Sequence, residues 1–563
     1  MIKLLSSLFA MMLMVISVQA QSVDDLLKPV TRTYALKNVT IVQKPGQVIQ
    51  NGTVIIKDGL IHAVGTNVTI PANAEVLETD SMFVYAGFID ALSHVGIPAP
   101  KPDNTQGGRG RVRIPGVDAG NPPPALAGVA PHTNAADKVS TEDKEIAAFR
   151  KLGFTTVHVV PRGQMLPGKG ALVILAGDNA EEMVLKQDVS TFAQLSTARG
   201  VFPNTIMGVM SKYRELYVQA QQLQMHHKAY EKNMQSMTRP ERDQELEALF
   251  PMINGEQPVF FMTSGVKDLY RVMNLQGELG FKVVLAGVKQ GWHLADQIKS
   301  SNTPILLTMD LPKEMKEEKK GDKAKKKEKD AEVVALEKRK KKAYDEHEAQ
   351  AATMAKAGIA FGFTTMGTKS GEVKKSLQRM MKAGLEDSQA LAALTTTPAA
   401  MFGVGNVMGT VEKGKIANLV ISDKPYFAEK SNVRMVIADG HVFKYDAPKK
   451  RPAGAASGGK ATKVDGAWSY TIDSPMGKRD GTLTLTMANG EVTGEISDEE
   501  EGGTDINNAE LEGNILMFTM PFDMGGQSAT LEYELTFEGD AFEGTVSVGE
   551  FGSFEITGTK KPQ

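Results

Sequence analysis

Apolar positions recur with different periods along the chain, and the period marks the elements. Tyr34–Val42 alternates apolar and polar residues. Gly52–Lys57 and Leu60–Val64 flank Asp58–Gly59, a pair that favours the positive-φ hairpin turn, so two antiparallel strands are expected there. Ala74–Leu77 and Met82–Val84 are shorter strand-like pieces, and Gly87–Ala91 reads as a buried strand. Downstream, strand-like and helix-like stretches alternate. Ile146–Leu152 predicts a helix and Gly153–Pro161 a strand; Pro258–Thr263, Lys282–Ala286, Pro304–Met309 and Ile359–Thr365 are strands separated by helical stretches at Val266–Leu279, Trp292–Ile298 and Ala349–Ala357. Strands and helices in that order predict a parallel sheet with crossover helices.

The pattern changes again near the end. Pro448–Lys460 is rich in Pro, Gly, Ala and Ser and reads as a linker. Beyond it, Gly481–Thr486, Ile515–Met520, Ala529–Phe537 and similar runs alternate between Gly, Asp and Asn turns, which predicts a C-terminal all-β barrel or sandwich. Two stretches read as insertions. Pro98–Ala130 is a Gly- and Pro-rich loop, and Lys313–Lys342 is a run of Lys with interspersed Glu, expected to form a solvated, partly helical excursion.

Composition limits the functional classes. The 563 residues imply several domains. A net charge of −3 argues against a nucleic-acid binder. There is no cysteine, so disulfides, thiolate metal sites and a Cys nucleophile are excluded. Lys3, the apolar run Leu8–Val18 and the small residues of Val18–Gln19–Ala20 read as a secretory signal at residues 1–20, cleaved after Ala20. The run falls short of the ~20 residues that span a bilayer, so an exported, periplasmic or secreted protein without a transmembrane segment is expected.

Phe88–Ile89–Asp90–Ala91–Leu92–Ser93–His94–Val95–Gly96 resembles the first barrel strand of the amidohydrolase superfamily, where the strand ends in His-x-His. Gly409–Thr410–Val411–Glu412–Lys413–Gly414–Lys415–Ile416–Ala417–Asn418–Leu419–Val420–Ile421–Ser422–Asp423 is similar to a run in the imidazolonepropionase-like members. The resemblance implies an α/β fold: a (β/α)8 TIM barrel at 87–402 with the charged insertion 313–342, a composite β-sandwich from 31–86 and 403–446, a linker at 447–462 and the all-β domain at 463–563. It implies a hydrolase of non-peptide C–N bonds (cyclic amides, ureides or modified dipeptides) that activates water on a zinc-type divalent metal.

The family's metal donors are a His pair after strand 1, a carboxylated Lys or Glu at strand 4, single His at strands 5 and 6, and Asp at strand 8. Here Leu92 stands at the first His position and only His94 remains. Phe260–Ser264 and Val283–Gly287 contain no His, and Gly362–Thr368 contains no acid. Thr205–Met210 is one option for strand 4. Among the nine His, His158 lies on an expected barrel strand and is the other candidate metal ligand, although a lone His in an apolar strand is more often a core residue. No nucleophile elbow appears, and no catalytic residue is assigned. Arg162 and Lys169, in the Gly- and Pro-rich stretch after strand 2, are candidates for binding an anionic group. Two readings result: an active hydrolase of a small-molecule substrate, or a catalytically inactive member that binds a ligand or joins an active homologue in a hetero-complex. A homo-oligomer fits either. The missing donors favour the second.

Overall fold

The computed structural model describes residues 32–99, 116–313, 331–445 and 464–561, apart from 475–476, 489–490, 499–502, 513, 524–527 and 549–552. The expected signal, the linker, the middle of the Gly/Pro loop and most of the charge run lie outside the described residues. The chain divides into two compact units, Met1–Asp446 and Ala447–Gln563.

The first unit opens with β1 (Thr33–Lys44), β2 (Gln47–Lys57), β3 (Leu60–Gly65), β4 (Glu75–Leu77) and β5 (Phe83–Ala86). Asp58 and Gly59, at φ 52° and 73°, make the tight β2–β3 turn. After the barrel come β14 (Leu419–Ser422), β15 (Val433–Ala438) and β16 (His441–Lys444). The two flanks meet where β5 pairs antiparallel with β14, giving one eight-stranded sheet. Leu36, Ile41, Val54 and Val84 from the first flank share a core with Leu419, Ile421 and Ile437 from the second. Segments far apart in sequence are thus held together by burial of common apolar surface.

Between the flanks an eight-stranded barrel forms. Its strands are β6 (Phe88–Ser93), β7 (Phe154–Val159), β8 (Gly168–Ile174), β9 (Val184–Gln194), β10 (Val259–Met262), β11 (Val283–Val288), β12 (Ile305–Thr308) and β13 (Phe361–Thr364). Helices on its chain path include α1 (Lys144–Lys151), α2 (Ile206–Lys232), α3 (Val266–Leu279), α4 (Ala295–Ser300), α5 (Ala331–Glu348), α6 (Ser370–Lys382), α7 (Asp387–Leu394) and α8 (Thr396–Met401). In α3 the buried residues Leu269, Val272 and Leu275 lie on one stripe, as an outer-ring helix requires.

Two expectations need correction. The alternation of strand and helix breaks at β8, which pairs antiparallel with both β7 and β9. A parallel return needs a crossover of about a dozen residues or more. The turn 160–167, with Pro161, Gly163 and Pro167, is too short for one, so the chain doubles back. The second correction concerns strand 4. Thr205–Met210 is the start of α2, where the Thr205 side chain accepts a hydrogen bond from the Gly208 N–H as the N-cap; the fourth barrel strand is β9.

The second unit is all β. Among the described residues its nine strands run antiparallel from Gly466–Ser474 to Ser553–Lys560. The two end strands, Thr504–Asp505 and Asn507–Glu512, are separated only by Ile506, whose N–H donates to the Gly494 carbonyl, so the sheet curls back on itself. Trp468, Phe537 and Phe542 pack edge-on in its core. No helix among the described residues is long and apolar enough to cross a membrane.

Candidate ligand site at the barrel mouth

The barrel closes at the seam between β6 and β13. Thr364 Oγ1 donates to the Leu92 carbonyl at 2.6 Å, and the Thr365 N–H donates to Asp90 Oδ1 at 3.1 Å. The Thr365 hydroxyl bonds the same carboxyl group, and the Leu92 N–H adds a third donor at 3.3 Å. Burial nonetheless raises the Asp90 carboxyl to about 7 against these hydrogen bonds.

The interior is apolar. Leu92, Val160, Phe192, Phe260, Ala286, Leu306 and Phe402 form one cluster, with Met262 and Met366 packed against it. These residues come from five of the barrel strands and the segments that follow β7, β13 and α8. Leu92, where the first His of the pair is expected, is fully buried in that cluster. The register of β6 also shifts between Asp90 and Ser93, and His94 falls just beyond the strand.

His158 lies inside the barrel and is fully buried. Its Nδ1 is 2.9 Å from the Ala91 carbonyl, which only accepts, so Nδ1 carries the proton. Nε2 then accepts from Ser190 Oγ at 2.8 Å. Both ring nitrogens are therefore committed, and Phe260 and Phe402 cover the ring at 4.6 and 4.8 Å. Burial pushes its pKa down to about 4. Gly170 makes this possible: a Cβ there would lie 2.3 Å from Nε2 and 2.5 Å from Ser190 Oγ. His158 is a core residue whose lone pair is already occupied.

His94 is held by Nδ1–H donation to the Val160 carbonyl at 2.9 Å. Burial, with Arg162 adding to it, lowers its pKa to about 4. It lines a cavity of about 560 Å³ at the C-terminal ends of the strands, with Glu142, Asp143, Glu145, Arg162, Thr368 and Lys369 among its walls. Asp143 caps α1 and accepts from the Gly96 N–H at 2.7 Å, fixing one side of the cavity. Thr368 Oγ1 is buried and has no hydrogen-bond partner. An orphaned hydroxyl on a cavity wall is a position for a ligand's polar atom.

Arg162 and Lys169 do not converge. Arg162 donates from Nε to the Ile97 carbonyl at 3.1 Å and stays at the mouth. Lys169, on β8, points its ammonium to Asp188 at 3.6 Å. Other residues that shape the mouth went unread in the sequence. Gln194, at the end of β9, donates from Nε2 to the carbonyls of Gly163 (2.7 Å) and Gln164 (2.5 Å) and so holds the β7–β8 turn. Asp90 and Thr365 were legible only as members of their strands.

Residues 282–443 match the model of the amidohydrolase family. That match spans the later barrel strands and the second flank, and over those residues the chain is similar to amidohydrolases. An amidohydrolase of Thermotoga maritima MSB8 superposes with a TM-score of 0.58 at 20% identity, covering 73% of this chain and 100% of its own. A Xaa-Pro dipeptidase with bound methionine gives 0.42 at 15% identity, covering 73% and 100%. An adenosine deaminase from Xanthomonas campestris with bound zinc gives 0.39 at 11%, covering 73% and 92%. No curated protein matches the chain.

The amidohydrolase family is metal-dependent in general, and the donor set here does not fit that metal. Among the described residues no group of three His, Asp or Glu is close enough to hold an ion. Leu92, Phe260, Met262 and Ala286 present aliphatic, aromatic and thioether groups, and Glu142, Asp143 and Glu145 beside His94 do not form a three-donor group, whereas a zinc-type site needs imidazole or carboxylate donors converging at about 2 Å.

Proposed function

We propose that this amidohydrolase barrel binds a small ligand at its mouth and has given up metal-dependent hydrolysis of C–N bonds. The observation that carries the reading is the fully buried Leu92 within the Phe192–Phe260–Leu306 cluster, where the family's first imidazole would stand. Apolar packing at that place supports a stable lumen and supplies nothing that would lower the pKa of water. The mouth above it keeps the features of a binding site: a concave cavity, both signs of charge and the orphaned Thr368 hydroxyl. A fold retained without its chemistry is consistent with function residing in the site rather than in the barrel. The apolar stretch after Lys3 supports export of the chain, so the ligand is one met outside the cytoplasm.

The test is a melting-temperature screen of full-length protein against small carboxylates, amides and ureides, in chelator and in added zinc. The reading expects ligands that raise the melting temperature equally in both, with no turnover in either. Zinc-dependent hydrolysis of any of them would overturn it.

A further inference from the structure

Arg162 lines a second cavity besides the one holding His94. This cavity, of about 430 Å³, lies between the segment 125–138 and the β7–β8 turn, and Lys138, Arg162 and Arg199 are among its walls. Among the described residues no carboxylate contributes to its lining. The neighbouring cavity, where Glu142, Asp143 and Glu145 contribute beside Arg162 and Lys369, differs in carrying charges of both signs on its walls.

The polar backbone of the turn adds to that sign. The carbonyl oxygens of Gly163 and Gln164 are already engaged by Gln194 Nε2. Two acceptors that would repel an anion are thereby satisfied from within the fold. Arg162 is positioned by its Nε–H bond to Ile97, which fixes the plane of the guanidinium and cuts the entropy lost when it grips a ligand. A planar guanidinium with two further cations in the same wall, and no carboxylate among the described lining residues, matches an oxyanion.

We propose that the cavity between Lys138, Arg162 and Arg199 is an anion site that takes the carboxylate or phosphate group of a small molecule, whose remainder extends past Arg162 into the cavity lined by His94. Arg162 serves both halves. This inference rests on the ligand-binding reading and names the charge of the ligand's head group. Lys169 has no part in it, since its ammonium is paired with Asp188.

The test is calorimetric titration of the full chain, in low-salt buffer with chelator present, using inorganic phosphate and succinate as separate probes. Arg162→Gln and Lys138→Gln are compared with wild type, and Lys340→Gln, on the remote helix α5, is the control. Both cavity substitutions are at exposed side chains, and melting curves verify folding. The expected result is saturable binding of at least one probe, weakened about tenfold or more by Arg162→Gln, the size of a lost charge-assisted pair. Lys138→Gln should weaken it less, and Lys340→Gln should leave it unchanged. Tighter phosphate than succinate assigns a phosphate head group, and the reverse order a carboxylate. Absence of saturable binding by either probe, or equal affinity in Arg162→Gln and wild type, overturns the anion site. Neither outcome touches the loss of metal chemistry, which is judged separately by metal content and turnover.

Discussion

Thr365 and Asp90 are joined across the seam of the barrel, with the Thr365 N–H 3.1 Å from Asp90 Oδ1 and the Thr365 hydroxyl on the same carboxyl group. The first and last barrel strands therefore meet through a buried carboxyl, and Thr365 also lines the mouth cavity. Closure of the fold and shape of the site thus share this contact, which stands beside the Thr364–Leu92 bond in the same seam.

That contact predicts a pH dependence. The folded-state pKa of Asp90 is raised to about 7 from 3.8, so the folded chain keeps a proton there that the unfolded chain has released. Its contribution to stability is full below about pH 4 and is lost as pH rises through 7. His94 and His158 run the other way: depressed to about 4 from 6.5, they contribute fully above pH 6.5 and lose that contribution as pH falls through 4. Asp90→Asn keeps an acceptor for the Thr365 and Leu92 N–H groups and removes the carboxyl titration. Between pH 4.5 and 6 its stability should rise with pH more steeply than wild type, by one proton or ~1.4 kcal/mol per pH unit. Urea unfolding across that range measures the slope, and parallel curves for the two proteins would contradict the assignment.

Gly170 is expected to be irreplaceable for steric reasons. Gly170→Ala places a methyl 2.3 Å from His158 Nε2, and overpacking of this kind costs about 1–3 kcal/mol. Ser190→Ala leaves that nitrogen without its donor and should cost a similar ~1–3 kcal/mol. Equilibrium unfolding of each variant checks this; a neutral Ser190→Ala would mean that the pair is not part of the core.

Much of the architecture could be read before any coordinates. The Asp58–Gly59 turn, the two flanks that meet at β5 and β14, the parallel strands from β10 to β13 and the all-β second unit each carry a local signal of period or turn chemistry. β8 carried none, because a short return and a crossover differ in length rather than in composition. Thr205–Met210 is ambiguous for another reason: a capping Thr before a short apolar run fits a strand, one option there, as well as the helix start it is. Absence of donors was legible residue by residue at Leu92 and in Phe260–Ser264. What replaced them was not: the cluster joining Leu92 to Phe192 and Phe402 is a property of packing among segments hundreds of positions apart.

Restoring one missing imidazole should not restore a metal site. Leu92→His buries a polar ring in an apolar lumen and should destabilise the chain by about 1–3 kcal/mol. The stretches Phe260–Ser264, Val283–Gly287 and Gly362–Thr368 still contain no His or acid, so zinc uptake should stay substoichiometric. Stoichiometric uptake by this variant, measured after dialysis against zinc, would show that further donors are in reach.

Gln194 is predicted to act on the ligand through the turn it holds. Gln194→Ala removes both bonds to the Gly163 and Gln164 carbonyls and should weaken phosphate or succinate binding several-fold, about 1 kcal/mol, while Gln194→Glu should weaken it further by adding an anion. Wild-type affinity in Gln194→Ala would remove Gln194 from the account.

The central claim is that the lumen no longer holds the family's metal. Elemental analysis of full-length protein, expressed with its N-terminal stretch and purified without chelator, tests it most directly. The account predicts less than about a tenth of an equivalent of zinc, manganese or iron per chain, before and after reconstitution, for a site in which no three described His, Asp or Glu side chains converge on one point. One or two equivalents per chain, lost in His94→Ala, would contradict it.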